Sequence, residues 1–419
     1  MLDVTQLNSS LSKTVAHVGG KPGLSWVLFA PARLPATLPV VNRPPMVTWR
    51  VTRACNLGCS DCPPASPLSS DTAELTTVEG LELINDLAAY GVFRLIFAGG
   101  EPLLRDDLAE LVAYTHHRGI QPTLLTSGTL LSRRRAAELQ RAGLHGASIL
   151  LEDLRREADR QFGMGEAFTS VLEAYDHCEA AGLPAEIRIP LNRRNYFELG
   201  DILNLMERRR IRRVVFAHMV YDRCGNSPHY DLNHLQKRRA LNLIFDHVED
   251  FHRRGVDVEI ATDENHVDGI YRYLQIARRS PYHAAALFEL LSALAANVQG
   301  AGVGCAGIDP EGGVHPDAYW GSHVLGNVRE TPFREIWDES RDPLLRGLRD
   351  RLPRLKGRCA NCRGKRACGG NLRVRADQVF GDPWMPDPAC YLTEEEIGKK
   401  VTARAKTMAD DVLLADQAA

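Results

Sequence analysis

The chain has 419 residues, of which 44% are hydrophobic and 25% are charged. These values are those of ordinary globular proteins, and they exclude wholesale disorder, collagen-like repetition and a small disulfide scaffold. Because the chain has 51 basic and 53 acidic residues, it has no net positive charge that would indicate a nucleic-acid partner. No run of 18 apolar residues predicts a membrane span, and residues 1–20 lack the layout of a signal peptide, so we expect a cytoplasmic protein.

Short apolar runs alternate with amphipathic stretches from Met46 onward, after an extension without clear periodicity. The predicted strands are 46–52, 93–98, 122–126, 147–151, 185–191 and 214–220. The predicted helices are 76–90, 106–119, 132–143, 168–182 and 197–209, the first opened by a capping box of Thr76 and Glu79.

Six strand–helix units with apolar strands indicate a parallel sheet covered by helices. Six units are too few to close an eight-unit barrel, so the predicted fold is α/β, a partial (β/α)6 TIM-type barrel. An open doubly wound sheet is the alternative. In either fold, ligands gather at the carboxyl ends of the strands.

Beyond the sixth strand we expect a helix over 231–255, a short strand over 257–261 and a further helical stretch over 280–300. From Gly302 the composition shifts to Gly, Pro, Arg and Cys, which indicates a second domain. The expected division is an extension, a barrel, a helical bridge, a cysteine-rich domain and a helical tail, over 1–45, 46–230, 231–300, 301–392 and 393–419.

The chain contains ten cysteines, and seven of them fall into two tight groups. In a reducing compartment such groups indicate metal binding rather than disulfides. Of the remaining three, Cys178 lies on a predicted helix and is expected to be packed in the core. Cys224 follows the sixth strand and is interpreted as a spare thiol at the barrel mouth.

The first group, Cys55, Cys59 and Cys62, has the spacing C-x3-C-x2-C in the loop after the first strand. Three thiolates can bind three irons of a cubane cluster and leave the fourth iron open for a small molecule. A zinc site or unligated thiols are the alternatives, although structural zinc usually takes four protein ligands.

The second strand ends in Gly99, Gly100, Glu101 and Pro102. Glycines let backbone carbonyls approach a ligand closely, and the acid can receive an ammonium group. Together with the three-cysteine loop one strand earlier, this turn resembles the radical S-adenosylmethionine superfamily over residues 46 to about 225.

The resemblance implies that Cys55, Cys59 and Cys62 hold a 4Fe–4S cluster whose free iron binds S-adenosylmethionine, with Gly99–Glu101 lining its methionine end. It also implies reductive cleavage to methionine and a 5′-deoxyadenosyl radical that abstracts hydrogen. Other strand ends are weaker candidates for cofactor contact, namely Ser127, Ser148 and Asn192.

The second group supplies four thiolates, Cys359, Cys362, Cys368 and Cys390, which by ligand count suit zinc or an iron–sulfur cluster equally well. This block resembles the SPASM/twitch extension of radical S-adenosylmethionine enzymes. In that pattern the positions of Asp317 and Leu372 carry cysteines of a further cluster. We therefore predict one auxiliary 4Fe–4S cluster, two clusters in all, with Cys305 unligated. A depleted cluster on Cys305 and Asp317 is the alternative.

Residues 341–375 hold twelve Lys or Arg and two acids, a local excess of +10. Some of this charge can balance a cluster, yet bidentate arginines suit carboxylates, so Arg373 and Arg375 become candidate partners of a polyacidic substrate. Segments such as 307–317 and 381–390 resemble the branch that remodels sirohaem-derived tetrapyrroles in haem-d and alternative haem biosynthesis. That resemblance implies removal or decarboxylation of propionate or acetate side chains. His315 could then ligate a substrate iron, although a hydrogen-bonded surface or turn histidine is the simpler interpretation.

A SPASM enzyme that matures a ribosomal peptide is the alternative function, and residues 1–45 look too short and too Pro-rich for the usual peptide-recognition module. A non-enzymatic electron-transfer protein with two clusters is a further alternative, but such a protein would not need the Gly-Gly-Glu-Pro turn. The expected partners are the tetrapyrrole and a flavodoxin- or ferredoxin-type reductant, with neither nucleic acid nor membrane.

Overall fold

The computed structural model describes residues 2–3, 44–57, 73–151, 167–221, 228–297 and 300–398. Their strands form one sheet in the order β1-β8-β7-β6-β5-β4-β3-β2-β9-β10-β11. The strands are β1 Leu2–Asp3, β2 Met46–Arg50, β3 Arg94–Ala98, β4 Gln121–Thr126, β5 Gly146–Leu150, β6 Ala185–Leu191, β7 Arg213–His218, β8 Glu259–Asp263, β9 Cys305–Ile308, β10 Gly313–His315 and β11 Gly326–Asn327. The six predicted strands are therefore confirmed as β2–β7.

The helices follow the strands as predicted through α6, and shorter ones fill the C-terminal third. They are α1 Thr77–Tyr90, α2 Leu108–His117, α3 Arg133–Arg141, α4 Ala167–Ala181, α5 Leu199–Arg208, α6 His234–Arg254, α7 Val267–Arg279, α8 Pro281–Asn297, α9 Phe333–Asp338, α10 Pro343–Arg349, α11 Gly357–Asn361, α12 Lys365–Cys368, α13 Arg373–Phe380 and α14 Glu394–Gly398. The predicted capping box is present at α1, where the Thr76 hydroxyl accepts from Glu79 N and the Glu79 carboxylate accepts from Thr76 N.

The two faces of the sheet differ in polarity, and this decides between the two predicted architectures. Alternate strand residues such as Trp49, Phe97 and Ile187 belong to the hydrophobic core. The intervening residues, which point to the opposite face, include Arg94, Glu186 and other polar side chains. One apolar, helix-covered face and one polar inner face describe a barrel rather than a doubly wound sheet.

Eight neighbouring strands, from β9 through β2 to β8, pair in parallel. In the part of the chain that the structure describes, no pairing joins β8 to β9, so the barrel is partial, as predicted. β8 pairs with β7, and β9 pairs with β2 with Cys305 opposite Met46. The sheet thus extends into the segments expected to be a bridge and a second domain.

Within the described residues, no helix combines the length and the apolarity that crossing a membrane requires.

Candidate active site and auxiliary thiol pocket

The Gly-Gly-Glu turn after β3 packs directly against the loop that carries Cys55. Gly100 N donates to Thr52 O at 2.9 Å, and Glu101 N donates to Ala54 O at 2.7 Å. A Cβ at Gly100 would lie 2.2 Å from Ala54 O, so a side chain has no room there. Because Gly99 and Gly100 have no side chains, the backbone of the Cys55 loop can pack against the turn. The sequence analysis expected a ligand to make this close approach.

Glu101 is fully buried, and its carboxylate ties together the ends of β3 and β4. It accepts hydrogen bonds from Leu103 N, the Thr126 hydroxyl, and both the backbone N and the hydroxyl of Ser127, at 2.6–3.1 Å. Five such contacts occupy most of the acceptor capacity of a carboxylate. Glu101 and Ser127 thus hydrogen-bond to each other, and together they stabilise the strand ends beside Cys55.

Of the three clustered thiols in the first group, the structure places Cys55, which is buried just after β2. Burial raises the pKa of this thiol, and the Glu101 charge raises it further against the lowering effect of the Leu57 amide. Cys59, Cys62 and Cys224 lie outside the described residues. Binding of iron by the first group remains a proposal.

Two other candidate cofactor residues have structural partners instead of facing the strand ends. Ser148 lies in the middle of β5, is fully buried, and donates to Glu186 at 2.9 Å. The Asn192 side chain accepts from the backbone N of Arg194 and of Asn195, which forms the turn after β6. The prediction treated both as residues of the mouth, but hydrogen bonds within the fold hold both side chains.

The sequence analysis missed a set of ionised side chains on the inner face of the barrel. At its amino end, Arg213 donates to Glu186 and Glu259. At its carboxyl end, Arg188 forms ion pairs with Asp263 and Glu264 at 2.9 and 3.0 Å. The signal was present in the strands, because charged residues at alternate positions of an apolar run indicate a polar face.

Glu264 connects the barrel mouth to the C-terminal region. Its carboxylate accepts from the Tyr319 hydroxyl at 2.8 Å, and its backbone carbonyl accepts from Arg375 at 2.8 Å. It has a φ of 62°, a left-handed conformation that is unusual for a residue with a side chain. Contacts from both sides fix this conformation.

An arginine joins the segment before α1 to the β10–β11 hairpin. Arg329 donates to the Glu79 carboxylate at 2.6 Å and to the carbonyls of Ala73, Glu74 and Glu311 at 3.0–3.1 Å. Residue 73 is the first described residue after the cysteine loop. The hairpin thus anchors one end of that loop.

The second cysteine group surrounds a small cavity between α7, α11, α12 and the segment before α14. All four thiols line it: Cys359, Cys362, Cys368 and Cys390. Burial raises the pKa of the Cys368 thiol well above its usual range, and the other three thiols add to this rise. The fold therefore places all four predicted ligands at one site.

The four thiols are spread around the cavity and do not converge on one point. Among the described residues, no three Cys, His, Asp or Glu side chains converge closely enough to ligate one metal ion. Thiols spread around a cavity would suit a multinuclear cluster, since each thiolate binds a different iron. Beside the cavity, two buried nitrogens of Arg373 also have no hydrogen-bond partner within the protein.

The candidate substrate arginines and the candidate histidine are buried and have hydrogen-bond partners within the protein. Arg375 is fully buried and ion-paired with Asp387 at 3.0 Å, and Arg373 is 2% exposed. His315 bonds through Nδ1 to the carbonyls of Trp320 and His323 and through Nε2 to Asp309. Because both ring nitrogens are engaged, His315 stabilises the β9–β10 region.

Cys305 and Asp317 lie near one another beside a buried arginine. Burial raises the pKa of the Cys305 thiol to about 12 and that of the Asp317 carboxyl to about 7. The guanidinium of Arg351, which is 9% exposed, interacts electrostatically with both and with Cys368. Asp317 also accepts from Tyr319 N at 2.7 Å.

Comparison with known proteins agrees with both parts of the fold. Residues 49–206 match the radical SAM superfamily, and residues 301–363 match an iron–sulfur cluster-binding SPASM domain. The solved structure of native anSMEcpe with bound AdoMet superposes with a TM-score of 0.63 at 17% identity, covering 88% of this chain and 100% of that one.

The chain belongs to the radical SAM superfamily, with a C-terminal SPASM domain, as the sequence analysis predicted. It is an enzyme of that superfamily, and its domains imply iron–sulfur clusters and AdoMet as cofactors.

Curated relatives match more than four fifths of the chain. The Fe-coproporphyrin III synthase of Methanosarcina barkeri is 40% identical over 361 residues, covering 85% of this chain and 90% of its own. The pre-heme d1 synthase of Dinoroseobacter shibae is 36% identical, covering 84% and 88%. A PqqA peptide cyclase of Gluconobacter oxydans is 28% identical, covering 84% and 91%.

Proposed function

We propose that this enzyme modifies carboxylate side chains, by removal or decarboxylation, on a sirohaem-derived tetrapyrrole in haem d1 or haem biosynthesis. The observation that carries the proposal is the 40% identity to an Fe-coproporphyrin III synthase, which covers 85% of this chain. The similarity to a peptide cyclase is lower, at 28%. Tetrapyrrole chemistry is therefore the better-supported function, and peptide maturation is the competing outcome of the test below.

Two cofactor sites follow from this proposal. Cys55, Cys59 and Cys62 hold a 4Fe–4S cluster that also binds AdoMet, and Cys359, Cys362, Cys368 and Cys390 hold a second one. When bound, these groups supply one-electron reduction of AdoMet and a further electron-transfer centre, with electrons from a flavodoxin- or ferredoxin-type reductant. Gly99 and Gly100 let the Cys55 loop dock, and Glu101 with Ser127 keeps the two strand ends beside it.

A polyacidic substrate at the mouth needs a cation that the fold has not already paired. Arg373 and Arg375 are buried, and on the inner face of the barrel Arg94, Arg188 and Arg213 have hydrogen bonds within the protein. Arg50, at the end of β2, is a further candidate cation on this inner face.

Arg50 ends β2 and points to the inner face, because its neighbour Trp49 belongs to the core. It lies opposite Ala98 in the ladder. Among the residues that the structure describes, the Arg50 side chain has no hydrogen-bond or ion-pair partner, although its charge interacts electrostatically with Asp309. We therefore propose Arg50 as a partner of a substrate carboxylate.

The test is binding and turnover with sirohaem-derived tetracarboxylates. The reconstituted wild-type enzyme is titrated with the tetrapyrrole by its visible absorption, and products are analysed by mass after reduction in the presence of AdoMet. We expect binding and the loss of carboxylate-derived mass. Failure to bind any such tetrapyrrole, together with modification of a precursor peptide, would establish the competing function.

The role of Arg50 is tested separately by Arg50→Ala and Arg50→Lys. A hydrogen bond to a charged group contributes about 1.5–3 kcal/mol, so Arg50→Ala should weaken tetrapyrrole binding roughly 10- to 150-fold, with partial recovery in Arg50→Lys. AdoMet cleavage without substrate should persist, because the proposed partner of Arg50 is a carboxylate of the substrate. Loss of this cleavage would indicate that Arg50 binds the carboxylate of AdoMet instead. Unchanged tetrapyrrole affinity in Arg50→Ala would assign the substrate carboxylates to other residues.

A further inference from the structure

Arg373 has a side chain whose hydrogen-bonding capacity is only partly used inside the protein. Nη1 donates to the carbonyls of Pro383 and Met385 at 3.0 and 2.7 Å. Nε and Nη2 are fully buried and have no hydrogen-bond partner. Because buried polar groups are almost always satisfied, two unpartnered donors on one buried guanidinium call for an acceptor that the polypeptide does not supply.

The surroundings of Arg373 identify where that acceptor lies. The guanidinium interacts electrostatically with Asp387 and with the thiols of Cys359 and Cys368, all of which line the four-thiol cavity. It also packs against Gly370, where a Cβ would lie 3.3 Å from its Cζ, and Gly370 lines the same cavity. The Arg373 side chain thus lies directly behind the cavity wall.

Other charged groups near these thiols have partners within the protein. Asp387 is ion-paired with Arg375, Arg358 is ion-paired with Glu394, and Lys365 Nζ donates to Ala360 O at 2.9 Å. By contrast, Nε and Nη2 of Arg373 are buried, unpartnered donors next to the cavity.

We propose that Nε and Nη2 of Arg373 donate hydrogen bonds to sulfur atoms of the auxiliary iron–sulfur cluster and so set its reduction potential. This inference rests on the auxiliary cluster of the proposed function. It replaces the interpretation of Arg373 as a substrate-binding residue. A cation and hydrogen bonds at the sulfurs stabilise the more negative, reduced cluster, and both are established determinants of cluster potential. The potential is therefore higher with Arg373 than without it.

The experiment isolates the auxiliary cluster in the full chain by changing Cys55, Cys59 and Cys62 to Ala. In this background Arg373→Met removes charge and donors, Arg373→Gln keeps a donor, and Arg373→Lys keeps the charge. Arg366→Met is the matched control, because Arg366 is exposed and lies two residues before Cys368. Each protein is reconstituted, assayed for iron, and titrated potentiometrically by electron paramagnetic resonance.

For Arg373→Met we expect the reduced-to-oxidised ratio at a fixed potential to fall at least tenfold, which is a shift of 59 mV for a one-electron couple. Arg373→Gln and Arg373→Lys should shift less, and Arg366→Met should change the ratio less than threefold. A loaded Arg373→Met cluster with the parent potential would overturn the proposal. So would a shift of equal size in Arg366→Met, because generic charge loss would then explain the effect.

A second measurement needs no variant that might fail to load. Protein labelled with ¹⁵N at the arginine guanidinium is reduced and measured by electron–nuclear double resonance. We expect a ¹⁵N coupling to the auxiliary cluster in the parent protein, and its absence would contradict the hydrogen bond. If the parent protein holds no iron, the auxiliary-cluster assignment itself is wrong, which is a separate result from an unchanged potential.

Discussion

The buried Arg375–Asp387 ion pair allows a direct test of whether Arg375 stabilises the fold instead of binding the substrate. Both side chains are 0% exposed, and Arg375 also donates to the carbonyls of Met219 and Glu264 at 3.0 and 2.8 Å. It thereby connects α13 with the chain just after β7 and β8. Arg375→Met removes the cation and leaves the Asp387 carboxylate buried with its two backbone donors, Leu372 and Ala389.

Removing one partner of a buried ion pair costs about 3–5 kcal/mol, because the other charge remains buried without compensation. In an unfolding unit of 150–250 residues, this corresponds to a lowering of the thermal midpoint by about 6–20 °C. The control is Arg209→Met, which breaks an ion pair with Asp176 whose side chains are 41% and 58% exposed. An exposed pair contributes about 0–1 kcal/mol, so this variant should unfold close to the wild type.

The assay is thermal unfolding of anaerobically reconstituted protein, followed by circular dichroism, together with tetrapyrrole titration of each variant below its transition. We expect a large loss of stability in Arg375→Met and unchanged tetrapyrrole affinity of the folded fraction. The reasoning would be refuted by wild-type stability combined with weakened tetrapyrrole binding, since Arg375 would then serve the substrate.

Three further outcomes are expected. Gly100→Ala should reduce iron at the first cluster by displacing the Cys55 loop, whereas Gly200→Ala, whose Cβ meets nothing within 4 Å, should leave the iron content unchanged. Arg329→Gln should increase hydrogen exchange at residues 73–79, measured by mass spectrometry, and equal exchange in both proteins would contradict the anchoring role. Cys305→Ala should retain the full iron content by colorimetric assay, and a loss of about four irons would reveal a further cluster.

The strand–helix units of the barrel could be predicted from the sequence because each one is a local pattern. Apolar runs such as 93–98 and the capping box at Thr76 depend on neighbours within a few residues. The placement of β8 and β9 at opposite ends of the parallel part of the sheet could not be predicted in this way. Cys305 pairs with Met46 across more than 250 residues, and nothing in either segment records that register.

The candidate site was predicted best where chemistry depends on residue type and spacing. The four thiols of the second group surround one cavity, as their spacing in a SPASM-like pattern implied. Ser148 and Asn192 were predicted from proximity to strand ends, which cannot distinguish a ligand-facing side chain from one held by a turn. Asn192 shows the difference, because its carboxamide satisfies two backbone amides of its own loop.

The arginine excess of residues 341–375 illustrates how a charge pattern can be misread without the backbone. This region is built from short helices and turns, so many carbonyls lack partners in regular secondary structure. Arginines supply the missing donors to those carbonyls: Arg349 to Gly302 and Trp337, Arg351 to Leu348, Arg358 to Leu392, Arg373 to Pro383 and Met385, and Arg375 to Met219 and Glu264.

A guanidinium suits this role because its five N–H groups diverge in a rigid plane and can reach several carbonyls at once. Its charge still needs an anion when it is buried, and Asp387 meets that need for Arg375. Arg373 also interacts electrostatically with Asp387, and the nearby thiolates of a cluster would add to this. The same residues therefore stabilise an irregular domain and balance the charge of its metal centre, so the local excess of +10 does not require a polyanionic substrate.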